Sequence, residues 1–258
     1  LAKWAPGMLR VWVKRWLARN FGGLTRIDDL QARLSGYVGE LVDHTTTRVT
    51  HSGLENLDKQ SAHLFISNHR DIVFDPMVVN YLLFANGFNT TRIAIGDNLL
   101  QKPFVTDLMR LNKSFIVPRS AKGKRAMLAA YQALSGYIRH SITQDNHPVW
   151  MAQREGRAKD GDDRTDSAIL KMFHMSRKDE PFGAVIQSLN LTPVSISYEY
   201  DPCAINKARE LHAKETDGAY KKVEFEDILS IVAGITGDKG RVKLVFGTPL
   251  RVPKKSNE

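Results

Sequence analysis

From Thr47 onward the chain alternates short apolar runs with longer stretches of helical periodicity, and this rhythm constrains its fold more than any other feature. Strands are expected at 47–50, 63–67, 91–95, 114–117, 149–152, 191–199 and 241–246. Helices are expected at 76–85, 104–111, 124–142, 167–177 and 224–236. Strands separated by helices need crossover connections, so the alternation predicts an α/β fold with a mixed, largely parallel central sheet flanked by helices. The stretch 154–166 reads as a loop. The polar tract 206–222 reads either as a helix or as an excursion from the fold.

The amino end has a different texture. Six cations (Lys3, Arg10, Lys14, Arg15, Arg19, Arg26) precede the first acid, Asp28, and Trp4, Trp12 and Trp16 share that stretch. At about 100° per residue, Met8, Leu9, Trp12, Val13, Trp16 and Leu17 fall on one arc, with Arg10, Lys14 and Arg15 largely opposite. Such a helix suits the plane of a membrane, with indoles at head-group depth and cations on anionic lipid. It equally suits packing on the protein's own core with a solvated basic face. Gly22-Gly23 ends it, and a second helical pattern follows from Asp28 through Leu30, Leu34, Val38 and Leu41. The expected organisation is a helical, membrane-interface segment (1–45), a catalytic-sized domain (46–253) and a frayed tail (254–258).

Composition narrows the partners. A chain of 258 residues with 42% apolar content can bury one full core. Its net charge of +9 favours anionic partners. A nucleic acid is not expected, because no helix-turn-helix, zinc or RNA-binding signature is present. Cys203 is the single cysteine, which excludes an internal disulfide framework. No metal is expected, since the eight histidines are dispersed. No apolar run approaches the roughly 18 residues of a membrane span. The chain opens on Leu1 rather than Met, so its start says nothing of targeting.

The chemistry concentrates at strand ends. The run Phe65-Ile66-Ser67-Asn68-His69 leaves a strand and reaches Asp71, then Asp75-Pro76 at the head of a helix. A histidine at the carboxyl end of a strand lies where open α/β sheets place their sites. A nearby aspartate bonded to one ring nitrogen fixes the tautomer and leaves the other nitrogen as a general base. The alternative is a histidine that merely caps the helix. A second cluster, Arg154-Glu155-Gly156-Arg157-Ala158-Lys159, follows the strand at 149–152. Arg suits bidentate phosphate binding and Gly permits close backbone approach, although a charge-balanced solvated loop explains the same residues. A third strand ends at Pro118-Arg119, and a fourth begins around Pro193-Val194.

Taken in this order and spacing, the four features resemble the glycerolipid acyltransferases, which act on glycerol-3-phosphate or 1-acylglycerol-3-phosphate. Asn68-His69 with Asp75-Pro76 resembles the family's His-x4-Asp block. Residues 114–119, ending in Arg119, resemble its second block, Glu155-Gly156-Arg157 its third, and Pro193-Val194 its fourth. Residues 245–250 resemble the closing strand, so the likeness runs from about Arg48 to Pro253. Five residues separate His69 from Asp75 where the family has four, and Phe74 stands where a strict match needs its carboxylate. Asp75 is therefore the first candidate for the partner of His69, and Asp71 the second. The third block also lacks an aromatic-Pro start and is one residue shorter.

The resemblance implies an O-acyltransferase that moves a fatty acyl group from a thioester to a hydroxyl in phospholipid biosynthesis. His69 would remove the acceptor proton and Asp75 would support the imidazolium, with backbone N–H groups at the start of the next helix facing the oxyanion. Arg119, Arg157 and Lys159, with Glu155 and Gly156 shaping the loop, would hold the acceptor's phosphate. Arg154 and Arg70 are further cations in reach, and Asn68 and Pro193 are supporting residues. No cofactor is expected beyond the donor itself, acyl-CoA or acyl carrier protein. The acceptor implied first is 1-acylglycerol-3-phosphate, and the alternatives are glycerol-3-phosphate, a lyso-aminolipid, or lipid binding without catalysis. The expected place of work is the cytoplasmic face of a membrane with anionic lipids, as a peripheral or monotopic protein.

Overall fold

A computed structural model describes residues 6–97, 103–118, 123–223 and 225–252. Its strands are β1 (Arg48–Ser52), β2 (Leu64–Ser67), β3 (Arg92–Gly96), β4 (Ser114–Val117), β5 (Val149–Ala152), β6 (Leu191–Tyr198) and β7 (Arg241–Phe246). Its helices are α1 (Pro6–Phe21), α2 (Ile27–Thr45), α3 (Phe74–Ala85), α4 (Pro103–Leu111), α5 (Lys124–Thr143), α6 (Ser167–His174), α7 (Phe182–Ser188), α8 (Ala204–Asp217) and α9 (Glu226–Thr236). The strands form one sheet in the order β1-β7-β6-β2-β5-β3-β4. Five neighbours from β6 to β4 run parallel, and β7 joins antiparallel to β6 with β1 parallel to β7. This is the mixed, largely parallel α/β sheet expected.

The period-2 alternation of each strand divides the core into two layers. Phe65, Trp150, Val194, Ile196, Val242 and Leu244 point to one face, where Val78, Val79, Leu82 and Leu83 of α3 and Val42 of α2 cover them. Leu64, Ile66, Val149, Met151 and Leu191 point to the other, beneath α5, α6 and α7. The adjacent strands β2 and β5 thus send their continuations to opposite faces, β2 into α3 and β5 toward α6. A crevice opens where neighbouring connections diverge in this way, at the carboxyl ends of the strands. His69 follows β2, and the 153–166 loop follows β5.

Two elements differ from expectation for local reasons, and a third takes one of the two readings left open. α3 starts at Phe74, earlier than its Pro76, because the Asp71 carboxylate receives N–H groups ahead of the proline. α7, with seven residues, is too short to show a helical period. The polar tract is α8, closed by Gly218 in a left-handed conformation (φ 74°). Arg119, Lys3, Trp4 and the tail 254–258 lie outside the described residues.

Candidate active site

The crevice is built around one buried carboxylate. Asp75, in the first turn of α3, is fully buried, and its Oδ2 accepts from His69 Nδ1 at 2.7 Å. The same oxygen accepts the backbone N–H groups of Arg70 (2.6 Å) and Asp71 (2.9 Å), while Oδ1 accepts from the Tyr198 hydroxyl. Four donors around one carboxylate provide the hydrogen bonds that a buried charge requires. Nδ1 of His69 is thereby committed, which directs the chemistry to Nε2. The Trp150 ring meets the imidazole edge-on, with centroids 5.6 Å apart, and its indole N–H donates to Ser67 Oγ at 3.1 Å.

Of the two aspartates, Asp75 is the one bonded to His69. Asp71 instead caps α3, its Oδ1 accepting from Val73 N (3.0 Å) and Phe74 N (2.8 Å). Its Oδ2 is buried without a hydrogen-bond partner among the described residues. Burial holds the Asp71 carboxyl above the ordinary carboxylate range, with the negative charge of Asp75 adding to the rise and Arg157 opposing it. The fully buried Lys239 lies 4.2 Å from the Phe74 ring centroid and donates to Gly237 O at 2.7 Å, and burial lowers its pKa.

Several N–H groups that lead into α3 are already engaged. The N–H groups of residues 70 and 71 donate to Asp75, and those of residues 73 and 74 to Asp71.

Asn68 has a structural task. Its side-chain amide donates to Ile196 O (2.9 Å), and its Oδ1 accepts from Ile196 N (2.8 Å). It thus continues the β2–β6 ladder past its last backbone pair, Ser67 and Val194. Pro193 sits opposite Ile66 in the same ladder, and its carbonyl accepts from Gly247 N at 2.8 Å.

The cations divide. The 153–166 loop is tied to the His69–Asp75 turn by Ala158 N, which donates to His69 O at 2.7 Å, and Gly156 makes the bend with φ 75°. Arg157 stands beside that bond, half-buried, and makes no ion pair among the described residues. Lys159 is ion-paired to Glu210 of α8, Arg70 to Asp163 at 2.5 Å, and Arg154 donates to Asp162 O at 3.1 Å. Glu155 lies exposed on the loop. Arg119 lies outside the described residues. Arg157 is the cation of this loop adjacent to the Ala158–His69 bond, and it makes no ion pair among the described residues.

Tyr198, Trp150 and Lys207 complete the site and were not foreseen. Tyr198 is the last residue of β6, and burial together with the Asp75 charge raises its phenol well above the ordinary range, so it remains a neutral donor. Lys207 of α8 donates to Arg70 O at 2.7 Å and pairs with Asp201, clamping the His69–Asp75 turn. The strand-end position of Tyr198 was a usable signal. The polar setting of Lys207 carried none.

A buried aspartate–histidine pair at a strand end, flanked by an arginine loop, defines a site for base-assisted group transfer. Comparison with known proteins gives the class its name. The model of the acyltransferase family matches residues 48–193, which include β1 through the start of β6 and the whole His69–Asp75 turn. The chain belongs to the acyltransferase family. It is 26% identical over 210 residues to the glycerol-3-phosphate acyltransferase of Pseudomonas syringae pv. tomato, covering 80% of this chain and 23% of that protein. It is 23% identical over 232 residues to the protein of the same name from Pseudomonas fluorescens Pf0-1, covering 88% of this chain and 26% of that protein. The chain therefore spans about a quarter of the length of these curated relatives. It is also similar to the solved 1-acyl-sn-glycerophosphate (LPA) acyltransferase of Thermotoga maritima, with a TM-score of 0.47 and 13% identity over 93% of this chain and 78% of that one.

Proposed function

We propose that this chain transfers a fatty acyl group from an acyl thioester, acyl-CoA or acyl carrier protein, to a hydroxyl of a glycerol phosphate. The observation that carries the reading is the 2.7 Å bond between His69 Nδ1 and the buried Asp75. Nε2 of His69 takes the acceptor proton as the hydroxyl oxygen attacks the thioester carbonyl. Asp75 stabilises the imidazolium while Tyr198 and two backbone N–H groups hold the carboxylate in place. Collapse of the tetrahedral intermediate expels the thiolate, which recovers the proton from His69. No covalent acyl-enzyme is invoked. General base assistance of this kind contributes roughly 10²–10⁴-fold in rate.

Arg157 is the cation proposed to bind the acceptor phosphate, and Glu155 and Gly156 shape its loop. Arg119 is proposed to join it on the resemblance alone. Glycerol-3-phosphate becomes the first acceptor, ahead of the 1-acylglycerol-3-phosphate implied by the motifs, because the curated relatives carry its name.

The protein is proposed to work on the surface of an anionic membrane, on its cytoplasmic face. No helix of the described residues is long and apolar enough to cross a bilayer. α1 exposes Leu9, Trp12, Trp16 and Leu17 beside its cations, with Trp12 64% accessible.

The test is acyl transfer from labelled acyl-CoA and acyl carrier protein to glycerol-3-phosphate, lysophosphatidate and amino-lipid acceptors, with His69→Ala in parallel. Transfer that disappears in the variant supports the reading. A folded wild type inactive with every pair refutes it.

A further inference from the structure

We infer that α9, with the turn before it, is a second lipid-contacting surface, one that dips shallowly into the bilayer beside the catalytic turn. This rests on the reading above that the chain acts at a membrane. The helix is built inside out for a water-facing element. Its small residues Ser230 and Gly234 are the buried ones, whereas Ile228 (54%), Leu229 (59%) and Val232 (51%) are open to solvent. Phe225 (59%) and Val223 (65%) extend the stripe along the preceding turn. Phe225 holds a left-handed conformation, φ 63°, unusual for an aromatic residue, and that turn leaves its ring outside. Apolar residues at this spacing normally face a core.

The inward side explains why the small residues are there. A methyl added at Gly234 would meet Asp71 Oδ2 at 1.9 Å, and the Ser230 carbonyl accepts from buried Cys203 Sγ at 3.6 Å. The helix therefore lies directly on the turn that carries His69 and Asp75. Its outer face is about one helix diameter, roughly 10–12 Å, from Asp71.

The occupant follows from area and charge. Five side chains at these exposures present roughly 500 Å² of apolar surface, as much as the largest patch on a typical monomer. A stable partner protein needs about 800 Å² on each side. From Ile228 to Gly237 the sequence holds no charge, and the nearer acids are each paired locally: Glu226 with Tyr220 and the Val223 N–H, Asp227 with Lys222. A small uncharged stripe over a site for amphiphilic substrates matches the boundary of a lipid layer. α2 bridges this face to α1, packing on α9 and meeting Trp16 through Tyr37 at 5.8 Å between ring centroids.

The test places an environment-sensitive fluorophore on the full chain through Leu229→Cys in a Cys203→Ser background, with Lys243→Cys on the outer sheet face as control. Mixed phosphatidylcholine–phosphatidylglycerol vesicles should shift the Leu229-position emission to the blue and leave the control unchanged. Vesicles that bind the protein while the position-229 probe stays unmoved would overturn the inference, as would a blue shift without vesicles that tracks protein concentration, which means a second copy covers the face. Unlabelled Leu229→Asp/Val232→Asp should bind the vesicles at least tenfold more weakly yet still acylate soluble glycerol-3-phosphate. Undiminished vesicle binding by that variant also refutes the proposal. His69-dependent transfer measured on the same preparation separates loss of this inference from loss of the enzymatic reading.

Discussion

At the scale of single residues, the two aspartates of the proposed catalytic turn should respond oppositely to the same change. Asp75→Asn places an amide N–H against one or more of four existing donors and removes the charge that supports imidazolium, so kcat should fall by about 10²–10⁴-fold. Asp71→Asn keeps an oxygen for the Val73 and Phe74 N–H groups and removes a buried charge. It should therefore leave kcat near wild type. The folded pKa of Asp71 is raised, so its ionisation costs stability progressively as pH rises from the ordinary carboxylate value through the raised folded one. Any gain from Asp71→Asn should appear at neutral pH and vanish in acid, as urea titrations at the two pH values would show. His147 works in another window. Burial, with Lys113 and Arg92 nearby, depresses its imidazole from 6.5 to about 4. Its neutral form favours the fold fully above pH 6.5. Below that the unfolded chain binds a proton that the folded chain refuses, and stability should decline down to about pH 4. The decline should be shallower in His147→Gln, measured by denaturation midpoints across that range. The sequence made the His69–Asp75 pair legible because strand, base and carboxylate lie within the twelve consecutive residues 64–75. Tyr198 and Lys207 reach the same site from more than 120 positions away, and nothing local in the chain signals that convergence.

At the scale of elements, the strands were readable because each is a short apolar run bounded by turn residues, and β4, β5 and β7 fall where expected. α9 was legible as a helix but not in its orientation. Its periodicity marks Ile228, Leu229 and Val232 as a coherent face, and ordinary reasoning would bury it. The inversion is set by a neighbour remote in sequence: only a glycine at 234 lets the helix settle on Asp71. Gly234→Ala should therefore destabilise the fold by about 1–3 kcal/mol through overpacking. Shortening the opposing side chain with Asp71→Ser should recover part of that loss. A double-mutant cycle by thermal or urea unfolding measures the coupling, and strict additivity would show that the two groups do not press on each other.

Across the whole molecule, two surfaces of different chemistry are proposed to meet the same membrane, and they should separate by salt. α1 carries Arg10, Lys14, Arg15 and Arg19 beside its tryptophans, so its attraction to anionic lipid is Coulombic and is screened over a Debye length of about 8–10 Å near physiological ionic strength. α9 contributes apolar area without charge along Ile228–Gly237, and burial of such area is little affected by moderate salt. Neutralising the four α1 cations to glutamine in the full chain should lower binding to phosphatidylglycerol-containing vesicles at low salt. The same variant should lose most of the salt dependence, with a residual affinity that neutral phosphatidylcholine vesicles share. Leu229→Asp/Val232→Asp should do the converse, weakening binding to both lipid compositions while keeping the steep salt slope. Vesicle sedimentation over a salt series reads both slopes at once. If the α1 variant kept the wild-type slope, the cations of α1 would not be what faces the lipid, and that helix would be packing and solvation alone. The basic amino end would then serve the fold, with α9 left as the membrane contact.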